Sequence, residues 1–165
     1  MGRSWSLEDA DLVAADLRTW LEPACTKLEV VGSVRRRRPR VGDVDLLAVE
    51  RRAGGLLDRV VQLTFDELVH MRRHEDGTIR LVHVHAGIPV DLHLTAPDTW
   101  AHALVMRTGG KEFIARLRAA AVARRLLLHD DGRLEVKQGK FQRVRSEQHF
   151  LLALKVPWTA PEDRT

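Results

Sequence analysis

Asp43 and Asp45 stand where carboxylates are costly. They flank Val44 in a Gly42-Asp43-Val44-Asp45 segment, and Leu46, Leu47, Ala48 and Val49 follow without a polar residue. Residues two apart on a strand point to the same face, about 7 Å apart along the chain, so the two side chains can converge on one cation. Two ionised carboxylates at the end of a buried strand repel one another and resist desolvation. A divalent metal removes both penalties, and hard oxygen donors favour Mg²⁺ or Mn²⁺ over zinc. Asp91, mid-strand in Ile88-Pro89-Val90-Asp91-Leu92-His93-Leu94, is the candidate third carboxylate for a site holding two such ions. A lone Asp-x-Asp fits a surface turn equally well. The second isolated strand aspartate separates the two readings.

The segment just upstream suits an anion. Gly32 permits close backbone approach, and Ser33 can donate from its hydroxyl and backbone N–H to a phosphate. Arg35 or Arg36 would then complement the charge of a triphosphate. Arg37, Arg38 and Arg40 read as a solvated basic loop or loose phosphate contacts. His93 shares the Asp91 face, which places it near the same centre. His83 and His85 alternate on one strand face, but no third ligand stands nearby and exposed sheet residues explain them. Trp5, Trp20, Trp100 and Trp158 read as packing residues, and Cys25 as a small buried one.

The elements that must position these groups follow from periodicity. Ser6 is an N-cap ahead of Glu8 and Asp9, and Leu7, Leu12, Val13, Ala15, Leu17 and Trp20 carry a helix to Pro23. Residues 27–31 and 44–49 read as strands, residues 56–65 as a helix. Residues 67–74 and 78–85 read as strands joined around Glu75-Asp76-Gly77, and residues 88–94 as a third. Helices are expected over 97–106 and 110–125. A second hairpin around Asp130-Asp131-Gly132 joins residues 126–129 to 133–136. A last helix spans 146–155, and Pro157-Trp158 is expected to end the ordered part. The pattern predicts an α+β fold in two parts, a mixed, largely antiparallel sheet flanked by helices (residues 1–96) and a basic helical part with a hairpin (residues 97–165).

Composition narrows the class. The chain has 165 residues, 44% hydrophobic, 30% charged, with a formal net charge of +4, which is a folded rather than a disordered composition. Its basic residues are 22 Arg and 5 Lys, and Arg suits bidentate phosphate contacts. A single cysteine excludes an internal disulfide and a Cys-based zinc site. No signal peptide or membrane-length apolar run is evident, so a soluble, cytoplasmic monomer without membrane contact is expected. Residues 107–145 hold eleven Lys or Arg against four Asp or Glu. Lys111, Arg118 and Arg125, spaced by seven, are expected to form one helical stripe beside a core side of Phe113, Leu117 and Ala120. With Arg107, that stripe suits the phosphates of nucleic acid, or else is a solvated face. Aromatic content of 5% argues against broad base stacking.

Taken together, Gly-Ser-Val-Arg-Arg from 32, Gly-Asp-Val-Asp-Leu-Leu from 42, Val-Asp-Leu-His-Leu from 90, Met-Arg-Thr-Gly-Gly-Lys-Glu-Phe from 106 and Pro-Trp-Thr-Ala-Pro-Glu-Asp-Arg from 157 resemble the palm and thumb of family X DNA polymerases. The likeness runs from about Ser6 to Arg164. It implies Asp43, Asp45 and Asp91 as the catalytic and metal-binding triad for two Mg²⁺ or Mn²⁺ ions. It implies Gly32, Ser33, Arg36 and Gly42 as nucleotide-binding, Met106, Thr108 and Gly109 beside the nucleotide sugar, and Arg118 near the nascent pair. The implied reaction is addition of a dNTP to a primer 3′-hydroxyl on primed or gapped DNA. Three departures stand out. Met106 replaces the aromatic residue many relatives set against the sugar, which leaves rNTP use open. Pro89 stands where relatives often carry an arginine that orients the third aspartate. The sequence begins at the first palm helix, so a separate DNA-clamping partner is expected. Rival readings are a nucleotidyltransferase acting on RNA, protein or a small acceptor, and a non-catalytic nucleic-acid-binding module.

Overall fold

The computed structural model describes residues 3–75 and 77–165; Asp76, placed in a hairpin turn from the sequence, lies outside them. The chain divides into two compact units, Met1–Thr95 and Ala96–Thr165. In the first unit the elements are β1 (Trp5–Ser6), α1 (Leu7–Leu21), β2 (Cys25–Val30), α2 (Gly32–Arg35), β3 (Arg40–Val41), β4 (Val44–Glu50), α3 (Gly55–Phe65), β5 (Val69–Glu75), β6 (Thr78–His83) and β7 (Pro89–Leu94). Five strands make one sheet in the order β2-β4-β7-β6-β5. Only β4 and β7 run parallel; the other pairings are antiparallel.

Strand alternation gives this sheet two unlike faces. Val44, Leu46 and Ala48 of β4, Val90 and Leu92 of β7, and Ile79 and Leu81 of β6 share one face and are buried. They pack with Ala10, Val13, Ala14, Leu17 and Leu21 of α1 and Leu56, Val60 and Leu63 of α3. The α1 residues recur at i, i+3, i+4 and i+7, as a helix seated on a sheet requires. Leu12, expected on that stripe, is 65% exposed because the buried stripe runs through Ala10 and Ala14 instead. The Ser6 hydroxyl accepts the Asp9 N–H at 3.1 Å and caps α1. The other sheet face carries Asp45, Asp91, Arg80, His93 and Thr78.

Several expectations are corrected here. The Gly-Ser segment is a single helical turn, α2. Strand β4 begins at Val44, where the sequence places its start, and Asp43 stands just ahead of it. Strand β5 starts at Val69 because Glu67 takes φ +58°. His83 and His85 do not share an exposed strand face. Strand β6 ends at His83, which is buried and stacked on Trp20 at 5.3 Å, with Asp16 Oδ2 3.3 Å from its Nε2. Cys25, by contrast, is buried as the sequence leads one to expect, and desolvation pushes its thiol up to about 11.

The second unit contains α4 (Trp100–Thr108), α5 (Lys111–Ala123), β8 (Leu127–Leu128), β9 (Leu134–Lys137), β10 (Lys140–Phe141) and α6 (Glu147–Ala153). The strands form a small antiparallel sheet in the order β10-β9-β8. Phe113, Leu117, Ala121, Leu128, Leu134, Phe150 and Leu154 build its core, with Ala120 packed at the edge. The basic stripe is shorter than expected. Helix α5 ends at Ala123 and Arg125 adopts φ +56°, which turns the chain out of the helical register before that side chain projects. Among the described residues, no helix is long and apolar enough to cross a membrane.

The ordered part does not end at Pro157-Trp158. A 3-10 turn follows at Pro161–Asp163, and Arg164 is fully buried. Its guanidinium donates to Glu147 Oε1 at 2.6 Å and to Thr159 O at 3.0 Å, and lies over the rings of Phe113 and Trp158. The tail's own carbonyls then meet the open end of α5: Gly110 N–H donates to Arg164 O at 2.7 Å and Phe113 N–H to Thr165 O at 2.6 Å. Two of the amides that a helix N-terminus leaves unpaired are thus satisfied. A Cβ on Gly110 would sit 2.9 Å from Arg164 O, so only glycine admits the tail there.

Two outcomes follow from this packing. Arg164→Met strands the Glu147 carboxylate and should cost about 3 kcal/mol in urea unfolding; a loss under about 1 kcal/mol would show the tail to be dispensable. His102 is 3% exposed, and burial drives its pKa below the ordinary 6.5 against smaller opposing influences from the Gln142 backbone and Asp131. The unfolded chain therefore takes up the proton first, so this contribution to stability is complete above pH 6.5 and declines as pH falls below it. Unfolding curves of His102→Phe and the parent, compared from pH 7.5 to 5, should diverge in favour of the variant at the acid end.

Candidate functional site

The site is built by register. In the parallel pairing, Asp45 of β4 is the direct partner of Asp91 of β7, and Leu47 is the partner of His93. Across the other edge of β7, Arg80 of β6 pairs with Asp91 and Thr78 with His93. One row of the open face therefore reads Asp45, Asp91, Arg80. One ligand atom from each of Asp45, Asp91 and His93 lies within 4.8 Å of the others. Asp43 stands outside that group but close enough to feel it. Its carboxyl pKa is raised, first by desolvation and then by the negative charges of Asp45 and Asp91, with His93 pulling the other way.

Each strand aspartate has a cation-capable neighbour. His93 Nε2 lies 3.3 Å from Asp45 Oδ1, and Arg80 Nε lies 3.6 Å from Asp91 Oδ2. Arg80 has no signal in the sequence, since only the antiparallel register of β6 with β7 sets it beside Asp91. Its side chain reaches this carboxylate from the neighbouring strand, while Pro89, two residues before Asp91 on β7 itself, offers no charge.

The Gly32–Arg35 turn sits against the Asp45 carboxylate. Val31 N–H donates to Asp45 O at 2.9 Å. Gly32 has φ +61°, and a Cβ there would lie 2.7 Å from Asp45 Cγ and collide with its carboxylate oxygen. Ser33 Oγ is buried without a hydrogen-bond partner, an arrangement that costs free energy unless a ligand supplies one. Arg36 is half-buried; desolvation first and then Arg38 press its pKa down, while Asp45 raises it. Gly42 is exposed, with open space where a side chain would stand. Arg37 pairs with Asp11 at 2.7 Å and Arg40 with Ser4, which accounts for both as loop-anchoring residues.

Of the residues read from the second unit, Met106 is half-buried on α4, Arg107 is exposed, Thr108 is fully buried as the last residue of that helix, and Gly109 caps it. Lys111 opens α5 and is exposed. Arg118 is half-exposed and donates to Asp130 at 2.7 Å. Arg125 is exposed beyond the helix.

A mixed sheet of this order, with paired strand aspartates on one face and helices on the other, joined to a small helical unit with a hairpin, is a family X polymerase-like fold. Residues 103–165 match the family model of the DNA polymerase beta thumb. The polymerase beta of Leishmania infantum, solved as a ternary P/T complex, superposes with a TM-score of 0.86 at 21% identity, over 99% of this chain and 77% of that one. The same enzyme in a ternary gap complex gives 0.84 at 20% identity, over 98% and 71%. No curated protein sequence matches the chain.

The collision that Gly32 avoids gives a direct test. Gly32→Ala should destabilise the protein by about 2 kcal/mol, from the left-handed backbone and the contact with Asp45 together. In an Asp45→Gly background only the backbone part remains. A double-mutant cycle by urea unfolding should therefore show a coupling of about 1 kcal/mol; strict additivity would mean the turn and the carboxylate are independent.

Proposed function

We propose that the chain is a metal-dependent nucleotidyltransferase that extends the 3′-hydroxyl of primed or gapped DNA with deoxynucleotides. The observation that carries this reading is the pairing of Asp45 with Asp91 on an open sheet face, with Asp43 in electrostatic range and the Gly32–Arg35 turn against Asp45. Clustered carboxylates of this kind are unstable alone and fit hard divalent cations. The donor set Asp43, Asp45 and Asp91 would hold Mg²⁺ or Mn²⁺. Such ions stabilise the attacking and leaving oxygens of an in-line displacement at phosphorus.

The chain's own groups supply the rest. Ser33 Oγ donates to a phosphate oxygen of the nucleotide, which gives that buried hydroxyl its missing partner, and Arg36 balances the triphosphate charge. Gly32, whose Cβ would meet Asp45, lets the turn that carries Ser33 lie against the carboxylates. Asp91 accepts the proton of the primer hydroxyl as its oxygen bonds to the α-phosphorus. The bond from that phosphorus to the bridging oxygen breaks, and pyrophosphate leaves. Arg80, 3.6 Å from one Asp91 oxygen, offsets part of the negative charge on that side of the carboxylate. In the second unit, Arg107, Lys111 and Arg118 are the groups for nucleic-acid phosphates, as the match of residues 103–165 to a polymerase thumb supports.

Primer extension on recessed and gapped duplexes with Mg²⁺ or Mn²⁺ tests this. Wild-type protein should add nucleotides, and Asp45→Ala should lower the rate at least a thousandfold while leaving DNA affinity within about threefold. Extension that survives in Asp45→Ala, or fails on every primed substrate in the wild type, overturns the reading.

A further inference from the structure

His93 is the buried member of the acidic cluster, 6% exposed, and its two ring nitrogens have different surroundings. Nδ1 lies 3.1 Å from Thr78 Oγ1, and Nε2 lies 3.3 Å from Asp45 Oδ1, within the group formed with Asp91. We propose that His93 is itself a metal ligand through Nε2, and that this nitrogen makes the site selective for Mn²⁺ over Mg²⁺.

The neighbours fit that role. A metal-binding imidazole almost always gives its other N–H to an oxygen acceptor, which fixes the tautomer and aims the lone pair. Thr78 supplies that acceptor. A hydroxyl both donates and accepts, so the same Thr78 geometry serves the metal-free tautomer, in which Nε2–H points at Asp45, and the metal-bound one. Neither side chain has to move. The 3.3 Å contact between Nε2 and Asp45 Oδ1 is long for a hydrogen bond to a charged group, which runs to about 2.7–2.9 Å. It is close to the separation of about 3 Å expected for two adjacent donors each about 2.1 Å from one ion. Leu47, buried and directly across the ladder from His93, leaves the ring little room to turn aside.

The chemistry of the donor set then decides the ion. Carboxylates suit Mg²⁺ and Mn²⁺ alike, whereas imidazole suits transition metals, and affinity at nitrogen sites rises from Mn²⁺ onward along the first row. Magnesium prefers oxygen and sheds water reluctantly. A histidine nitrogen added to these carboxylates therefore favours manganese where the carboxylates alone would not. This rests on the nucleotidyl-transfer reading for its functional meaning, but the metal can be read on the protein alone.

Mn²⁺ titration followed by pulsed electron paramagnetic resonance tests it with wild type, His93→Gln and His93→Asp, each first shown folded by its melting curve. The wild-type spectrum should show directly bound nitrogen, absent from both variants. Competition by Mg²⁺ should reveal a Mn²⁺ preference that falls at least tenfold in His93→Asp, where oxygen replaces nitrogen. No nitrogen coupling in the wild type overturns the proposal by that spectrum alone, even should the variants unfold. Coupling that persists in His93→Gln, or an unchanged Mn²⁺-to-Mg²⁺ ratio in His93→Asp, overturns it as well. Wild-type protein that binds Mn²⁺ through nitrogen yet extends no primer would sink the polymerase reading and leave this one standing.

Discussion

The parallel pairing of β4 with β7 is the constraint on which the rest depends. It places Asp45 directly against Asp91, on neighbouring strands about 4.8 Å apart. Two carboxylates at about 5 Å repel by roughly 3 kcal/mol at an effective dielectric of about 20. The register cannot slip to relieve this. A one-residue slip of either strand would turn its own apolar pair, Val44 and Leu46 or Val90 and Leu92, out of the core and its aspartate into it. Burial of each such side chain is worth about 1.5–3 kcal/mol, so the apolar face outweighs the repulsion and dictates the arrangement of the acidic one.

The neighbours of the two aspartates follow from the same register. Arg80 faces Asp91 because β6 pairs with β7 through that row, and His93 faces the cluster because it lies two residues after Asp91 on the same face. Thr78, paired with His93, completes a polar strip in which each member is placed by backbone hydrogen bonds rather than by a loop. Sites held on strands keep their geometry better than sites held on loops. The exception is the Gly32–Arg35 turn, and there the absence of a side chain at Gly32 lets the turn lie against Asp45.

Much of this was legible in the sequence, and the parts that were not trace to three physical causes. The strand aspartates, the glycine-serine turn and the two-part α+β plan are local patterns: alternation, a turn pair, a change from strand-like to helical spacing. Arg80 was invisible because its meaning lies in which residue of another strand it meets. The same holds for His83, which looked like an exposed strand residue and is covered by Trp20. Arg164 shows the opposite failure. Its Pro-Glu-Asp-Arg segment carries the resemblance, yet nothing local in it signals burial, and the ordered part is expected to end at Pro157-Trp158. The structure buries the guanidinium because Glu147, Thr159 and two aromatic rings together provide what a lone arginine lacks. Arg125 failed for a simpler reason. Spacing by seven predicts a stripe only while the helix lasts, and α5 ends at Ala123.

Asp43 gives the sharpest reason to regard the cluster as a site rather than a structural ion network. A network built for stability leaves its carboxylates easier to ionise, because each gains more from its cations than it loses to burial. Asp130 and Glu135 in the second unit behave that way, their pKa values held low by Arg118 and by the Gly139 N–H and His129 respectively. Asp43 is displaced in the other direction, by burial and by two like charges that its own fold brings near. Ser33 Oγ adds a buried hydroxyl with no partner beside the same strand end. Folding alone gains nothing from either. Under the proposed function, a divalent cation and an anion with oxygen acceptors at that end of the sheet would relieve both penalties together, which is the charge pattern of a metal–nucleotide complex.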